Sequence, residues 1–172
     1  AIEHTPSHRP ALEELKRIHT EQEVWSSLVG VLARESSLAP EDRRLPFFAE
    51  IARIWQDKIG NSKVAVSSWQ KVLQEQPDHS EALARLLGLY EAEGSWRKYL
   101  DVADRHLHTL SGLELRDRQA ELGVIAQEKA LDTERAISYF RAATSGDRPS
   151  PTALGELRSI ARSRGDWEQV IQ

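Results

Sequence analysis

The feature that most constrains how this chain can fold is an internal repeat with a period of 71 residues. Trp25, Trp96 and Trp167 are evenly spaced at that distance. The same offset relates many other positions, both apolar and polar. The triplets are Ala11, Ala82, Ala153; Leu12, Leu83, Leu154; Leu15, Leu86, Leu157; and Ile18, Leu89, Ile160, and the pairs include Arg34 and Arg105, Glu50 and Glu121, Gln56 and Gln127, Ala65 and Ala136, and Trp69 and Phe140. Such self-similarity predicts a stack of like units.

Helical periodicity dominates each period. Apolar residues recur at spacings of three and four, and no long stretch alternates with a period of two, so we expect helices and no strands. Gly60, Gly94 and Gly165 are suited to ending helices, and the residue after each offers a side-chain oxygen to cap the next helix. We expect nine helices and the start of a tenth, near 11–22, 24–37, 43–59, 62–75, 80–93, 96–109, 115–130, 133–145, 151–164 and from 166 onward.

Each period holds two helix–turn–helix units of roughly 35 residues, a length typical of tetratricopeptide repeats. Segment 45–79 carries that family's apolar pattern in its first helix, then a small residue, an aromatic and a proline: Phe48, Ile51, Ala52 and Trp55, followed by Ala65, Trp69, Val72 and Pro77. Segment 116–150 repeats it with Gly123, Ala136, Phe140 and Ala143. The chain therefore resembles the tetratricopeptide family, although one extra residue lies in the turn around Gly60.

The resemblance implies an all-α fold, a right-handed α-solenoid of stacked helical hairpins with nine to ten helices. We expect a single array over residues 1–172, with repeats at 9–44, 45–79, 80–115, 116–150 and a truncated 151–172. Residues 1–8 align with the end of the second repeat, so we interpret them as the tail of a preceding one. Neither end carries a polar cap, which indicates a fragment of a longer array that could associate end to end.

The amino-acid composition argues against several classes of function. The net charge of −4 and the pI of about 5.9 lack the basic excess that is usual in nucleic-acid binders. No apolar run is long enough to span a bilayer. The absence of cysteine excludes disulfides, thiolate catalysis and cysteine-based zinc sites.

No catalytic or cofactor motif is visible, so we expect a non-enzymatic protein without cofactor or metal. His4 and His8 are four residues apart, but Pro6 lies between them and no third ligand is near. His19 is interpreted as a half-buried packing residue. The spaced tryptophans suggest an aromatic ligand ladder, but packing at the start of each second helix is the favoured interpretation.

The resemblance implies a concave groove, lined by first helices, that binds a peptide or helix. Candidate groove residues combine small side chains with arginines that could pair with carboxylates: Ala49, Ala84, Gly88, Arg17, Arg53 and Arg85. The alternative is that these arginines form pairs within their own helices, such as Arg53 with Glu50 or Asp57.

Four functional hypotheses follow. The first is a scaffold that binds a partner peptide or helix. The second is a structural or self-assembling spacer in a large multi-repeat protein. The third, an RNA-associated helical repeat, is disfavoured by the acidic balance, and regulation of a fused catalytic domain stays open.

Overall fold

The computed structural model describes residues 8–165, and this part of the chain consists of helices joined by turns and contains no strand. A short 3-10 turn, Glu41–Arg43, precedes the third helix, and a π-helical turn, Ile54–Lys58, continues it. The helices are α1 His8–Glu21, α2 Trp25–Leu38, α3 Leu45–Arg53, α4 Ser62–Glu75, α5 Ser80–Glu93, α6 Trp96–Leu107, α7 Gly112–Glu128, α8 Thr133–Thr144 and α9 Pro151–Arg164.

These bounds confirm the all-α prediction and most of the expected helix positions. The first helix begins at His8 instead of residue 11, because Pro10 is tolerated in the first turn, where the backbone N–H groups have no partner within the helix. The seventh begins at Gly112, three residues before its predicted start. The expected tail of a preceding repeat and the expected tenth helix fall largely outside the described residues.

Two kinds of turn join the helices within hairpins, and each recurs 71 residues later. In the first kind, Glu23 and Gly94 adopt positive φ values of 55° and 70°. The next residue donates its N–H to a carbonyl five residues back, Val24 to His19 and Ser95 to Tyr90. The repeat is therefore preserved in backbone geometry, although Glu23 replaces the glycine expected at that position.

In the second kind of turn, Gly60 and Leu131 adopt φ values of 73° and 53°. The backbone N–H that follows bonds six residues back, from Asn61 to Trp55 at 3.0 Å and from Asp132 to Ala126 at 2.8 Å. The Asn61 and Asp132 side chains then cap the next helices by accepting from the N–H three residues on.

The extra residue expected in the turn around Gly60 is absorbed inside the helix. Ile54–Lys58 forms a π-helical turn in which Ile59 N donates to Ile54 O at 3.0 Å. A one-residue insertion becomes a π-bulge when the widened turn keeps the backbone groups paired. The hairpin can therefore hold an additional residue without a longer loop.

The chain divides into two compact units at Arg85 and Leu86, within α5. In unit 1, which ends at Arg85, α1 packs on α2, α2 on α3 and α3 on α4. Ala52, Ala65 and Trp69 have no exposed surface, so the aromatic ring fills space beside two small residues at the α3–α4 crossing.

In unit 2, which begins at Leu86, α6 packs on α7, α7 on α8 and α8 on α9. Gly123, Ala136 and Phe140 take the places that Ala52, Ala65 and Trp69 hold in unit 1, and Phe140 is fully buried. A Cβ atom added at Gly123 would lie 2.4 Å from Phe140 Cε1. The small-residue and aromatic pattern thus has the same packing role in both units, and the predicted all-α fold of helical hairpins is confirmed.

Candidate protein-interaction surface

The candidate groove residues of unit 1 lie on three first helices of hairpins. Arg17 is on α1, Arg53 ends α3, and Arg85 is on α5. Their side chains are 57%, 46% and 35% exposed, so each is open to water and to a partner. Whether each guanidinium is also available depends on what it already binds.

Arg17 is paired within its own helix. Its guanidinium donates to Glu14, one turn before, and to Glu21 at 2.7 Å, one turn after. The pKa of Glu14 is lowered because its carboxylate accepts these hydrogen bonds. This is the arrangement that the intrahelical alternative anticipates for Arg17.

Arg53 and Arg85 instead pair between α3 and α5. Arg53 makes a bidentate contact with Glu81, with donor–acceptor distances of 2.7 and 2.5 Å. Arg85 donates to Asp57 at 2.9 Å and lies 3.9 Å from Glu81. Arg53, Asp57, Glu81 and Arg85 therefore form a quartet of alternating charge, which we call the charge quartet.

The pKa of Glu81 lies below its ordinary value, first because its carboxylate accepts hydrogen bonds from Arg53. The same contact raises the pKa of Arg53. The ion pairs fix the order of the charges that the quartet presents to solvent. A bidentate arginine–carboxylate pair holds both planar groups in one orientation.

The small candidate residues differ in accessibility. Ala49 is only 3% exposed and belongs to the core, so a partner would meet the residues around it first. Ala84, at the end of unit 1, is exposed. Gly88, in unit 2, is also exposed, and a Cβ atom there would meet nothing within 4 Å.

Sequence reasoning missed Glu81 and Asp57 as members of this surface. Glu81 follows Arg53 by 28 residues, and Arg85 follows Asp57 by the same interval. Each residue also has its opposite-charge neighbour four positions away on the same helix. That doubled spacing is the signal in the sequence that could have indicated pairing between neighbouring first helices.

The remaining site hypotheses find little support in side-chain positions. Among residues 8–165 no group of three or more His, Asp or Glu side chains is placed to hold a metal ion. His19 is half-buried, as expected for a packing residue. Trp25 and Trp96 are half-buried as well, while His4 and Trp167 lie outside the described residues.

None of the described helices is long and apolar enough to cross a membrane.

The chain has only low sequence identity to the known proteins that it matches. No family model matches the chain. It is 26% identical over 144 residues to "Protein CTR9 homolog" from Arabidopsis thaliana, a match that covers 81% of this chain and 13% of that protein. The chain thus spans about an eighth of the length of this curated relative.

Two solved structures also resemble the chain. One contains the nearly identical TPR-like repeats of a Podosopora anserina protein described as a kinesin light chain, with 20% identity and a TM-score of 0.43 over 95% of this chain and 88% of that one. A variant of the same protein gives 19% identity and a TM-score of 0.43 over 96% and 88%.

Proposed function

We propose that this chain is a non-enzymatic protein-interaction scaffold that binds a partner peptide or helix on the face formed by its first helices. The tetratricopeptide-like fold supports a protein-interaction role in general. The observation that carries the choice of face is the charge quartet of Arg53, Asp57, Glu81 and Arg85, which is partly exposed and held in a fixed order.

An ordered pattern of opposite charges is suited to selecting a partner. A partner with the complementary order gains attraction at each position, whereas a partner shifted along the groove meets like charges. Exposed Ala84 lies beside Arg85 and leaves room for a backbone or a side chain to approach. The quartet would therefore determine the register of a bound segment more than its affinity.

A structural spacer is the second candidate, and the same contacts give it support. Arg53 and Arg85 already donate to Glu81 and Asp57, so the pairs could serve only to join α3 to α5. Under this function the first-helix face would bind nothing, and contacts would come from copies of the parent protein.

A pair-exchange variant separates the two candidates. Exchange of both pairs, with Arg53→Glu, Glu81→Arg, Asp57→Arg and Arg85→Asp, keeps the ion pairs between α3 and α5 but reverses the charge pattern that a partner meets. A photo-crosslinking amino acid at Ala84, on the first-helix face, would trap a bound partner in a source-cell lysate. The same group at exposed Ser62, at the start of the second helix α4, is the matched control.

Scaffold function predicts a partner that crosslinks at Ala84, does not crosslink at Ser62, and is lost in the exchange variant while the melting temperature stays near that of wild type. If the Ala84 probe captures no partner, the spacer function is favoured. If a partner is retained equally by the exchange variant, the charge quartet has no role in recognition.

A further inference from the structure

A cleft of about 550 Å³ lies in unit 1, on the side of its second helices. It is formed by α2 and α4, with α3 contributing part of the wall. Val29, Phe48 and Ile51 give it an apolar lining, and Phe48 is buried at its base. None of the proposed groove residues lines this cleft, so it is a separate feature of the surface.

Unit 2 fills the corresponding place with its own side chains. Moving 71 residues along the chain converts Ala33 into Asp104 and Ser68 into Tyr139. Tyr139 is 7% exposed, and its hydroxyl donates to Asp104 Oδ1 at 2.5 Å. An aromatic ring and a carboxylate thus occupy the space between the second helices α6 and α8.

In unit 2, the Asp104 carboxylate also accepts a hydrogen bond from Arg135 on α8. Arg135 donates to Asp104 Oδ2 at 2.6 Å and to Asp101 Oδ1 at 2.8 Å. In unit 1 the equivalents of Arg135 and Asp101 are Val64 and Gly30. Unit 1 therefore lacks the ring, the acids and the cation that close this space in unit 2.

The open cleft of unit 1 instead carries two cations of its own, Arg44 and Lys71. Lys71 Nζ lies 4.0 Å from the centre of the Phe48 ring, and among the described residues no carboxylate pairs with it. Arg44 Nε donates to the Ala39 carbonyl at 2.9 Å, and its nearest carboxylate, Glu41, is 3.9 Å away and almost fully exposed.

Together these contacts define what would complement the cleft. The apolar lining suits a flat, largely apolar group. Arg44 and Lys71, which have no carboxylate in close contact, would attract a carboxylate. Those are the groups that unit 2 supplies to itself through Tyr139 and Asp104. The internal repeat thus offers a template for the missing occupant.

We propose that this cleft is a second binding site, which takes a segment of a partner protein that carries an aromatic side chain next to an acidic one. The ring would pack on Val29, Phe48 and Ile51, and the carboxylate would pair with Arg44 or Lys71. The site is independent of the first-helix face, so a partner could engage both.

Three capped tripeptides test the chemistry when titrated into isotope-labelled protein and followed by two-dimensional NMR. They are acetyl-Asp-Tyr-Asp-amide, acetyl-Asp-Ala-Asp-amide and acetyl-Lys-Tyr-Lys-amide. We expect the first to shift the backbone signals of Ser36, Ser37 and Ser68 at millimolar concentration. The second should bind about tenfold more weakly, and the third should leave these signals unchanged.

A filled-cleft variant tests the location. Ala33→Asp combined with Ser68→Tyr introduces the side chains that unit 2 carries, and should abolish the shifts. Ser68 is half-buried whereas Ser67 is exposed on the same helix, so Ser67→Tyr is the matched control and should bind like wild type. Lys71→Glu, a substitution at an exposed residue, gives a second test that does not depend on packing and should weaken binding about tenfold or more.

The proposal is overturned if no tripeptide shifts the cleft signals, if the filled-cleft variant binds as well as wild type, or if the shifts cluster around Arg53 and Arg85 instead. The outcome is distinct from that of the proposed function. Crosslinking at Ala84 should continue in the filled-cleft variant if only the first-helix face is used, and cleft binding should survive exchange of both ion pairs of the charge quartet.

Discussion

Trp69 donates its indole N–H to Gln56 Oε1 at 2.7 Å, and this hydrogen bond ties the second helix of a hairpin to the first. The ring is fully buried, so the bond satisfies a donor that has no access to water. In unit 2, Phe140 stands in the position equivalent to Trp69, and Gln127 in the position equivalent to Gln56. Phenylalanine has no such donor, and Gln127 Oε1 is buried with no hydrogen-bond partner among the described residues.

The same substitution should therefore have opposite effects in the two units. Gln56→Leu leaves the Trp69 N–H unsatisfied and should lower the free energy of unfolding by about 1–3 kcal/mol. Gln127→Leu removes an acceptor that has no partner and should be neutral or stabilising. Urea unfolding followed by circular dichroism measures both, and equal losses in the two variants would contradict the assigned bond.

Trp69 should also be the most costly aromatic to truncate. Trp69→Ala removes a fully buried ring beside Ala52 and Ala65 and should cost about 3–5 kcal/mol. Trp25→Ala is the control, because that ring is only half-buried and its loss should cost less. A Trp69→Ala protein that melts within a degree or two of wild type would show that the ring does not form the core.

Alanine should not be tolerated at Gly123, although replacing a helical glycine by alanine normally stabilises a protein. A Cβ atom at this position lies 2.4 Å from the fully buried Phe140 ring, which has little room to move, so Gly123→Ala should destabilise the protein by about 1–3 kcal/mol. Gly155 is also helical but has open space, and Gly155→Ala should stabilise by about 0.5–1 kcal/mol. Thermal melts of both variants give the sign of each change.

Glycine substitutions in two turns should raise the stability of the protein. Glu23 and Leu131 adopt left-handed backbone conformations, with φ values of 55° and 53°, where glycine stands in the other copy of each turn. Glu23→Gly and Leu131→Gly remove the steric cost of Cβ and should each stabilise by about 0.5–1 kcal/mol. The reciprocal Gly60→Leu should destabilise, and a melting temperature lowered by Leu131→Gly would contradict the assigned conformation.

The pairing of Arg53 with Glu81 should make part of the stability depend on pH. Because the pKa of Glu81 is lowered by folding from its ordinary 4.5, the stabilisation is present above that pH and is lost as the pH falls through the folded-state value. Both side chains are partly exposed, so solvent screening limits the effect of Arg53→Gln at neutral pH to about 0.5–1 kcal/mol.

Chemical unfolding at a series of pH values checks this expectation. The free-energy difference between wild type and Arg53→Gln should shrink as the pH is lowered below 4.5. A difference that stays constant down to strongly acidic pH would indicate that Arg53 stabilises the protein through something other than the Glu81 carboxylate.

Much of the fold could be predicted from the sequence because it depends on local rules. Helix spacing, the terminating glycines at 60 and 94 and the Asn61 cap all follow from the preferences of single residues. The chemistry of Glu23 and Leu131 does not favour left-handed turns, and only their alignment with Gly94 and Gly60 in the 71-residue repeat indicates that conformation. The neighbouring helices impose it.

The candidate surface was less predictable because its contacts join separate helices. Arg17 has carboxylates one turn away on its own helix, so its pairing follows from sequence spacing. Arg53 also has Asp57 one turn away, yet it binds Glu81 on α5. Which carboxylate an arginine selects depends on how two helices are aligned, and a periodic pattern leaves that open.

The two kinds of turn, one around Glu23 and Gly94 and the other around Gly60 and Leu131, alternate along the chain. The smallest structural unit that repeats along the chain is therefore a pair of hairpins, not a single hairpin. Gain or loss of 71 residues would keep the two kinds of turn in alternation. Gain or loss of one hairpin would put two turns of the same kind in succession, so such a lineage is expected to lengthen and shorten in steps of two.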